Sequence, residues 1–291
     1  VCTIIAFGIS AFPRIKRRPG NQFVPRLLAL KPDVTLSIAK TAQPAPGETL
    51  RYYYHENVYR PSAESHTFQE ISQMGLEMLG AVGEAQVQQA VRLAAQSLAQ
   101  LGAAWVLEVS HMGYLFGLFD ALGVPENARP GLLEKLREKN AHELRRAAQA
   151  AGLDAAGAAA LTGLLELSGS CEETLAKAER ACRNDRMRAA AAELRALAKT
   201  LEASGGAVRL DLSLAGEMEY YNGLVFQGYL QGLPRPLLKG GRYDLLMQKF
   251  TPGAGAIGFA VYLDELDRLS APTPPVQRNN VQVSELQYIL P

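Results

Sequence analysis

Glu217-Met-Glu-Tyr-Tyr-Asn-Gly-Leu-Val-Phe-Gln-Gly-Tyr229, followed by Gly240-Gly-Arg-Tyr-Asp244, is the stretch around which the rest of the chain is organised. Read with a period of two, Tyr221, Gly223, Val225 and Gln227 share one face of a strand, and Tyr220, Asn222, Leu224 and Phe226 share the other. The first face offers a phenol beside bare backbone, which suits the wall of a small polar pocket: a hydroxyl to hydrogen-bond and a glycine that lets a ligand approach. Taken alone, such a segment reads first as an ordinary half-buried strand with tyrosines at its edge. Gly240 and Gly241 read as a turn ahead of Arg242, Tyr243 and Asp244, with a spacing that fits neither the mononucleotide nor the dinucleotide phosphate fingerprint.

Working outward, Leu50 to Leu79 reads as two strands around the polar loop Pro61-Ser-Ala-Glu-Ser-His66. On the second strand Gln73, Gly75 and Glu77 fall on one face, so an amide and a carboxylate flank a gap with no side chain. A carboxylate there must be solvated, paired or holding a ligand, because an unpaired buried charge costs several kcal/mol. Arg60, at the end of the partner strand, is the candidate for a purely structural ion pair with Glu77. Before this hairpin, Pro32-Asp-Val-Thr35 places Asp33 and Thr35 ahead of a short helix; a helix cap uses the same residue types. Residues 85–101 have helical spacing, Ala103–Ser110 alternates like a strand, and His111 at its end reads as a structural hydrogen-bonder.

The organisation that follows is a first core part over residues 1–111, a mainly helical insertion over 112–205, a second core part over 206–270 carrying the pocket motifs, and a tail over 271–291 punctuated by Pro272, Pro274 and Pro275. Residues 1–30 suggest a strand and a hairpin with a basic turn at Lys16–Arg18. The 291 residues, 48% of them hydrophobic, are ample for a buried core, and a net charge of +1 gives no general attraction to nucleic acid or an acidic membrane. Cys2, Cys171 and Cys182 form neither a disulfide framework nor a metal pattern, and the four histidines have no zinc spacing; we read a reducing cytoplasm, no metal and no cofactor. No apolar run approaches the roughly 20 residues that cross a bilayer.

In this order and spacing the segments resemble the catalytic core of histidyl-tRNA synthetase, over roughly residues 26–270. Pro32–Thr35 is similar to that family's Pro-Glu-x-Thr segment, Val58–Arg60 with Gln73–Glu77 to its motif 2, and Tyr220–Asn222 with Gly240–Asp244 to its histidine-specific pair. The fold this implies is α+β: a class II aminoacyl-tRNA synthetase-like antiparallel sheet flanked by helices, with a helical insertion. The departures are as informative. The family's arginine four residues before the tyrosine pair corresponds here to Gly216, and the ATP-gripping arginine of motif 3 to Glu265. Activation needs cations where phosphate and carboxylate charge builds, so adenylation is expected to be lost. The dimer-forming motif 1 is not recognisable in residues 1–25, and the little sequence beyond motif 3 leaves no room for an anticodon-reading domain, so no tRNA is expected.

A synthetase core altered in this way resembles the regulatory subunit of ATP phosphoribosyltransferase in histidine biosynthesis. That resemblance implies a non-catalytic protein that binds the short-form catalytic subunit, self-associates, and carries feedback inhibition by histidine. By the same resemblance Asp33, Thr35 and Gln73 would hold the ligand ammonium, Glu77 and Tyr221 the two imidazole nitrogens. Tyr243 would close the pocket beside Tyr220, and Gly75, Gly223, Gly240 and Gly241 would supply pocket backbone. With Gly216 in the arginine position, Arg60 is the candidate for the ligand carboxylate. The alternatives are a histidine-adenylating enzyme that uses Arg60 as its main phosphate contact, and a scaffold that binds only proteins.

Overall fold

The computed structural model describes residues 30–61, 67–202, 207–216 and 220–270. The N-terminal strand and basic turn, Cys2, most of the hairpin loop, Glu217–Glu219 and the C-terminal tail lie outside the described residues.

In chain order the elements are α1 (Thr35–Thr41), β1 (Thr49–Pro61), β2 (Phe68–Gly80), α2 (Glu84–Ala99), β3 (Trp105–His111) and α3 (Met112–Ala121). Then come α4 (Arg129–Arg137), α5 (Ala141–Ala150), α6 (Ala155–Thr162), β4 (Ser168–Ser170), α7 (Cys171–Arg180) and α8 (Asp185–Glu202). The last group is β5 (Ala207–Asp211), β6 (Leu224–Leu230), β7 (Leu238–Arg242), α9 (Asp244–Met247), β8 (Gly255–Tyr262) and α10 (Leu263–Ser270). The strands form one eight-stranded sheet in the order β1-β2-β8-β7-β6-β3-β5-β4.

Every neighbouring pair in that sheet is antiparallel except β3 and β5. Parallel neighbours cannot be joined by a tight turn and need a long crossover. The helices between β3 and β5 provide that crossover, and β4 adds an antiparallel edge beside β5. These helices do not form a body of their own: Leu115, Leu144, Leu161 and Leu194 join Val109, Leu107 and Phe226 of the sheet in one buried core. His111 closes β3 and starts α3. Its Nδ1 accepts from the Gly113 N–H at 3.0 Å, so that nitrogen carries no proton, and Nε2 donates to Glu193 of α8 at 3.1 Å.

On one face of the sheet α2 buries Val87, Ala90, Val91, Ala94, Ala95 and Leu98, the i, i+3, i+4 stripe expected from its spacing, while Leu101, also read as part of that stripe, is exposed beyond the helix end. On the other face a smaller apolar cluster joins Ala39 of α1, Leu79, Tyr243, Met247 and Ala256. This second cluster is the floor on which the pocket stands.

The central stretch departs from its sequence reading in two ways. The strand starts at Leu224, and Tyr220–Gly223 form a bend before it, held by Asn222 N–H donating to the Arg242 carbonyl at 3.1 Å and Met112 N–H to the Gly223 carbonyl at 2.8 Å. Gly240 and Gly241 are not a turn but the middle of strand β7. Their missing side chains make room for rings: a Cβ on Gly240 would come within 2.5 Å of Phe226, and one on Gly241 within 2.7 Å of Tyr221.

Candidate functional site

The register places two cross-strand rows side by side on the face away from α2. One runs Val225, Gly241, Gly258, Glu77, Tyr52 and the next Gln227, Lys239, Ala260, Gly75, Tyr54. Side chains directly opposite on one face must share the space between them, so small residues in a row invite their neighbours to lie across them. Tyr54 lies across Gly75, where a Cβ would collide with the ring, and the Glu77 carboxylate lies across Gly258, where a Cβ would collide with Oε2. The gap expected between Gln73 and Glu77 is therefore filled by the Tyr54 phenol, a residue the reading of β2 alone did not point to.

Glu77 is 1% exposed. It accepts from Thr35 Oγ1 at Oε1 and from Tyr243 Oη at Oε2, each at 2.6 Å. Burial pushes its carboxyl up to about 7, against the pull of these two donors, and the nearby Asp33 adds to the rise. Arg60 does not pair with Glu77. Its Nε donates to the Pro32 carbonyl at 3.2 Å and its Nη2 stands 4.0 Å from Asp33 Oδ2. Asp33 serves twice, since Oδ1 accepts the Leu36 N–H at 2.8 Å and so caps α1, while Oδ2 accepts from Tyr220 Oη at 3.4 Å. Cap and pocket wall, alternatives in the sequence, coincide.

Tyr220 stacks edge-on with both Tyr221 and Tyr243, at 5.1 and 5.8 Å between ring centres. Burial raises the phenols of Tyr54, Tyr220 and Tyr243 above their ordinary range, with the Glu77 charge reinforcing it, so all three stay protonated donors at neutral pH. Gln73 is 3% exposed and its Nε2 has no hydrogen-bond partner among the described residues. A buried amide left unpaired costs about 1–3 kcal/mol, and a ligand or water that pairs with it recovers that cost.

These groups enclose a cavity of about 60 Å³ lined by Asp33, Thr35, Arg60, Gln73, Glu77, Tyr220, Tyr221, Tyr243 and Gly240 from the sequence-derived set. Gln227, which the sequence placed on the pocket face, also lines it, as do Tyr54, Lys239, Ala260 and Tyr262, which the sequence did not single out. Gly75 and Gly241 lie beneath the rings of Tyr54 and Tyr221, and Gly223 packs against the Arg242 side chain, so these three glycines do not face the cavity. Room of this size suits a few water molecules. Through Arg60, Gln227, Lys239 and Tyr262 the cavity adjoins a wider one of about 380 Å³, which also takes in Arg235, Asp264, Glu265 and Arg268.

Gly216 lines the first cavity, and a Cβ there would come within 2.8 Å of the Tyr221 ring. Glu265, on α10, stands 3.5 Å from Arg268 of its own helix. The cavity thus has an acidic, hydroxyl-rich end at Glu77 and Asp33, with Arg60 beside Asp33, and a second cation, Lys239, in its lining, an arrangement that suits a zwitterion carrying a hydrogen-bonding side chain.

The model of the histidyl-tRNA synthetase family matches residues 21–266. A protein of Shouchella clausii named ATP phosphoribosyltransferase regulatory subunit is 36% identical over 248 residues, covering 82% of this chain and 62% of the relative. The solved structure of an ATP phosphoribosyltransferase regulatory subunit/histidyl-tRNA synthetase from Bacillus halodurans superposes with a TM-score of 0.72 at 31% identity, covering 84% of this chain and 66% of that one. The ATP phosphoribosyl transferase (HisG:HisZ) complex from Thermotoga maritima contains a chain of the same fold, with a TM-score of 0.66 at 19% identity over 88% of this chain and 90% of that one. The chain spans 62–66% of the length of the curated relatives it matches.

Proposed function

The chain belongs to the histidyl-tRNA synthetase family, and from that membership we propose that it is a non-catalytic regulatory subunit of ATP phosphoribosyltransferase that binds histidine in the cavity at Glu77. Its curated relatives carry the regulatory-subunit name. The observation that carries the reading is the contrast within one site. The groups suited to an amino acid stand together around the cavity, while the two positions where the synthetases place arginines hold Gly216 and Glu265. In this reading Asp33, Thr35 and Gln73 face the ligand ammonium, Glu77 and Tyr221 its imidazole, and Tyr243 and Tyr220 close the site.

The short-form catalytic subunit is the partner, self-association accompanies it, and both work in the cytoplasm on the way to histidine. Feedback requires that histidine bind one state of the assembly more tightly than another. The test is co-purification with a short-form ATP phosphoribosyltransferase, its activity assayed with and without histidine, together with calorimetric titration of histidine into the chain alone. Histidine binding and histidine-sensitive activation are expected, without histidine-dependent pyrophosphate exchange.

A second reading, histidine adenylation, is favoured by the cations Arg60, Arg235, Lys239 and Arg268 around the wider cavity. Glu265 beside them opposes phosphate. Robust pyrophosphate exchange would establish this reading in place of the first.

A further inference from the structure

We propose that Lys139, at the corner between α4 and α5, is a positioning residue for the ligand pocket: its ammonium holds residues 211–216, which supply one wall of the cavity, and so couples the helical crossover to ligand binding; this rests on the histidine reading above. α4 ends at Arg137 and α5 begins at Ala141. Between them Lys139 takes φ 52°, the left-handed conformation that glycine ordinarily supplies just past a helix. Among the described residues it is the one non-glycine residue with positive φ. A side chain kept where glycine would end the helix without strain points to a task for the side chain itself. That task is visible at its tip. Lys139 Nζ donates to Asp211 Oδ2 at 2.6 Å, and the Asp211 side chain is 3% exposed while that of the lysine is 57% exposed. A buried carboxylate needs its charge paired, so Asp211 stays where the lysine reaches it.

Asp211 ends β5 and starts the chain toward the pocket. Its Oδ1 accepts from the Ser213 N–H at 2.9 Å and from the Ser213 hydroxyl, and its carbonyl accepts from the Leu214 N–H at 3.0 Å, which folds 211–214 into a turn. Beyond the turn, Leu214 and Gly216 line the cavity. The same corner reaches the far end of the segment, where Arg137 Nη1 donates to the Gly216 carbonyl at 3.3 Å. The crossover therefore grips the wall at both ends, with the shorter and charged contact at Lys139. Gly216 in turn lies against the Tyr221 ring, which stands where a side chain at 216 would be. A displaced wall moves that ring, and with it the hydroxyl that meets the imidazole in the histidine reading.

The experiment is calorimetric titration of histidine into the full chain and into Lys139→Gly and Lys139→Arg, at a temperature where circular dichroism shows each folded. Lys139→Gly eases the left-handed backbone and removes the ammonium, so a lysine that merely ended α4 would leave affinity at the parent value. The positioning role predicts instead a loss of roughly 5-fold or more, the size of an ordinary coupling between sites. Lys139→Arg, which keeps the charge, is expected to bind histidine nearly as the parent does. Parent affinity in Lys139→Gly overturns the assignment, and so does a Lys139→Arg protein as weak as Lys139→Gly. Should Lys139→Gly fail to fold with Asp211 left charged and unpaired, Lys139→Gly combined with Asp211→Asn buries no charge and keeps the oxygen that Ser213 uses. That double variant is expected to fold and to show the same loss; parent affinity in it overturns the assignment. An unaltered chain that takes up no histidine removes the histidine reading itself, and this inference with it.

Discussion

Gly258 of β8 stands directly opposite Glu77 of β2, and the carboxylate lies over the glycine where any side chain would be. Its position is fixed further by Thr35 and Tyr243, which come from elements remote in sequence. The geometry of the acidic end of the pocket therefore depends on a residue with no side chain.

Gly258→Ala is expected to expel the carboxylate from its place or to push β8 and β2 apart. Overpacking of this kind costs about 1–3 kcal/mol, and a buried charge torn from its donors adds to it. Urea unfolding should show the loss, and histidine binding should disappear with it.

Glu77 titrates at about 7 in the folded chain, against an ordinary value of 4.5. Between these values the folded state holds the proton that the unfolded state releases, so this group's contribution is complete below pH 4.5 and is lost as pH rises through 7. Unfolding midpoints measured from pH 4.5 to 8 should fall across that window. In Glu77→Gln the fall should flatten, since the amide keeps hydrogen bonds without a titrating proton.

Tyr243→Phe removes the donor to Glu77 Oε2 and keeps the ring that packs on Ala256 and Met247. A hydrogen bond to a buried charge is worth about 1.5–3 kcal/mol. The variant should lose stability by that order at pH 8, where the carboxylate is ionised, and less at pH 5. Equal losses at both values would show that the hydroxyl acts through something other than the charge.

His111→Ala deletes the cap on α3 and the bridge to Glu193. A lost cap costs about 1 kcal/mol, up to about 2. Thermal unfolding should register this, whereas histidine affinity should stay at the parent value because His111 lies outside the cavity lining.

Spacing made legible which of the candidate residues share a strand face or stand before a helix. Gln73, Gly75 and Glu77 share a face because side chains alternate along any strand, and Asp33 and Thr35 were marked by their place before a helix. Gly216 and Glu265 were visible as uncharged and acidic residues where a resemblance called for cations. The N-terminal pairing of Arg60 was not legible, because the sequence offered Glu77 as an equally good partner.

What the sequence determined was the set of groups and their order: which carboxylate, which amide, which tyrosines, and where positive charge is absent. The tertiary structure decided how they share space. Tyr54 fills the room above Gly75, Gly240 and Gly241 become strand instead of turn, and Lys239 faces the same cavity as Glu77, because β2 pairs with β8 and β8 with β7 across more than half the chain. Alternation along a strand is a local property, fixed by backbone geometry. Which residue stands opposite another depends on register between strands that only the packed sheet sets.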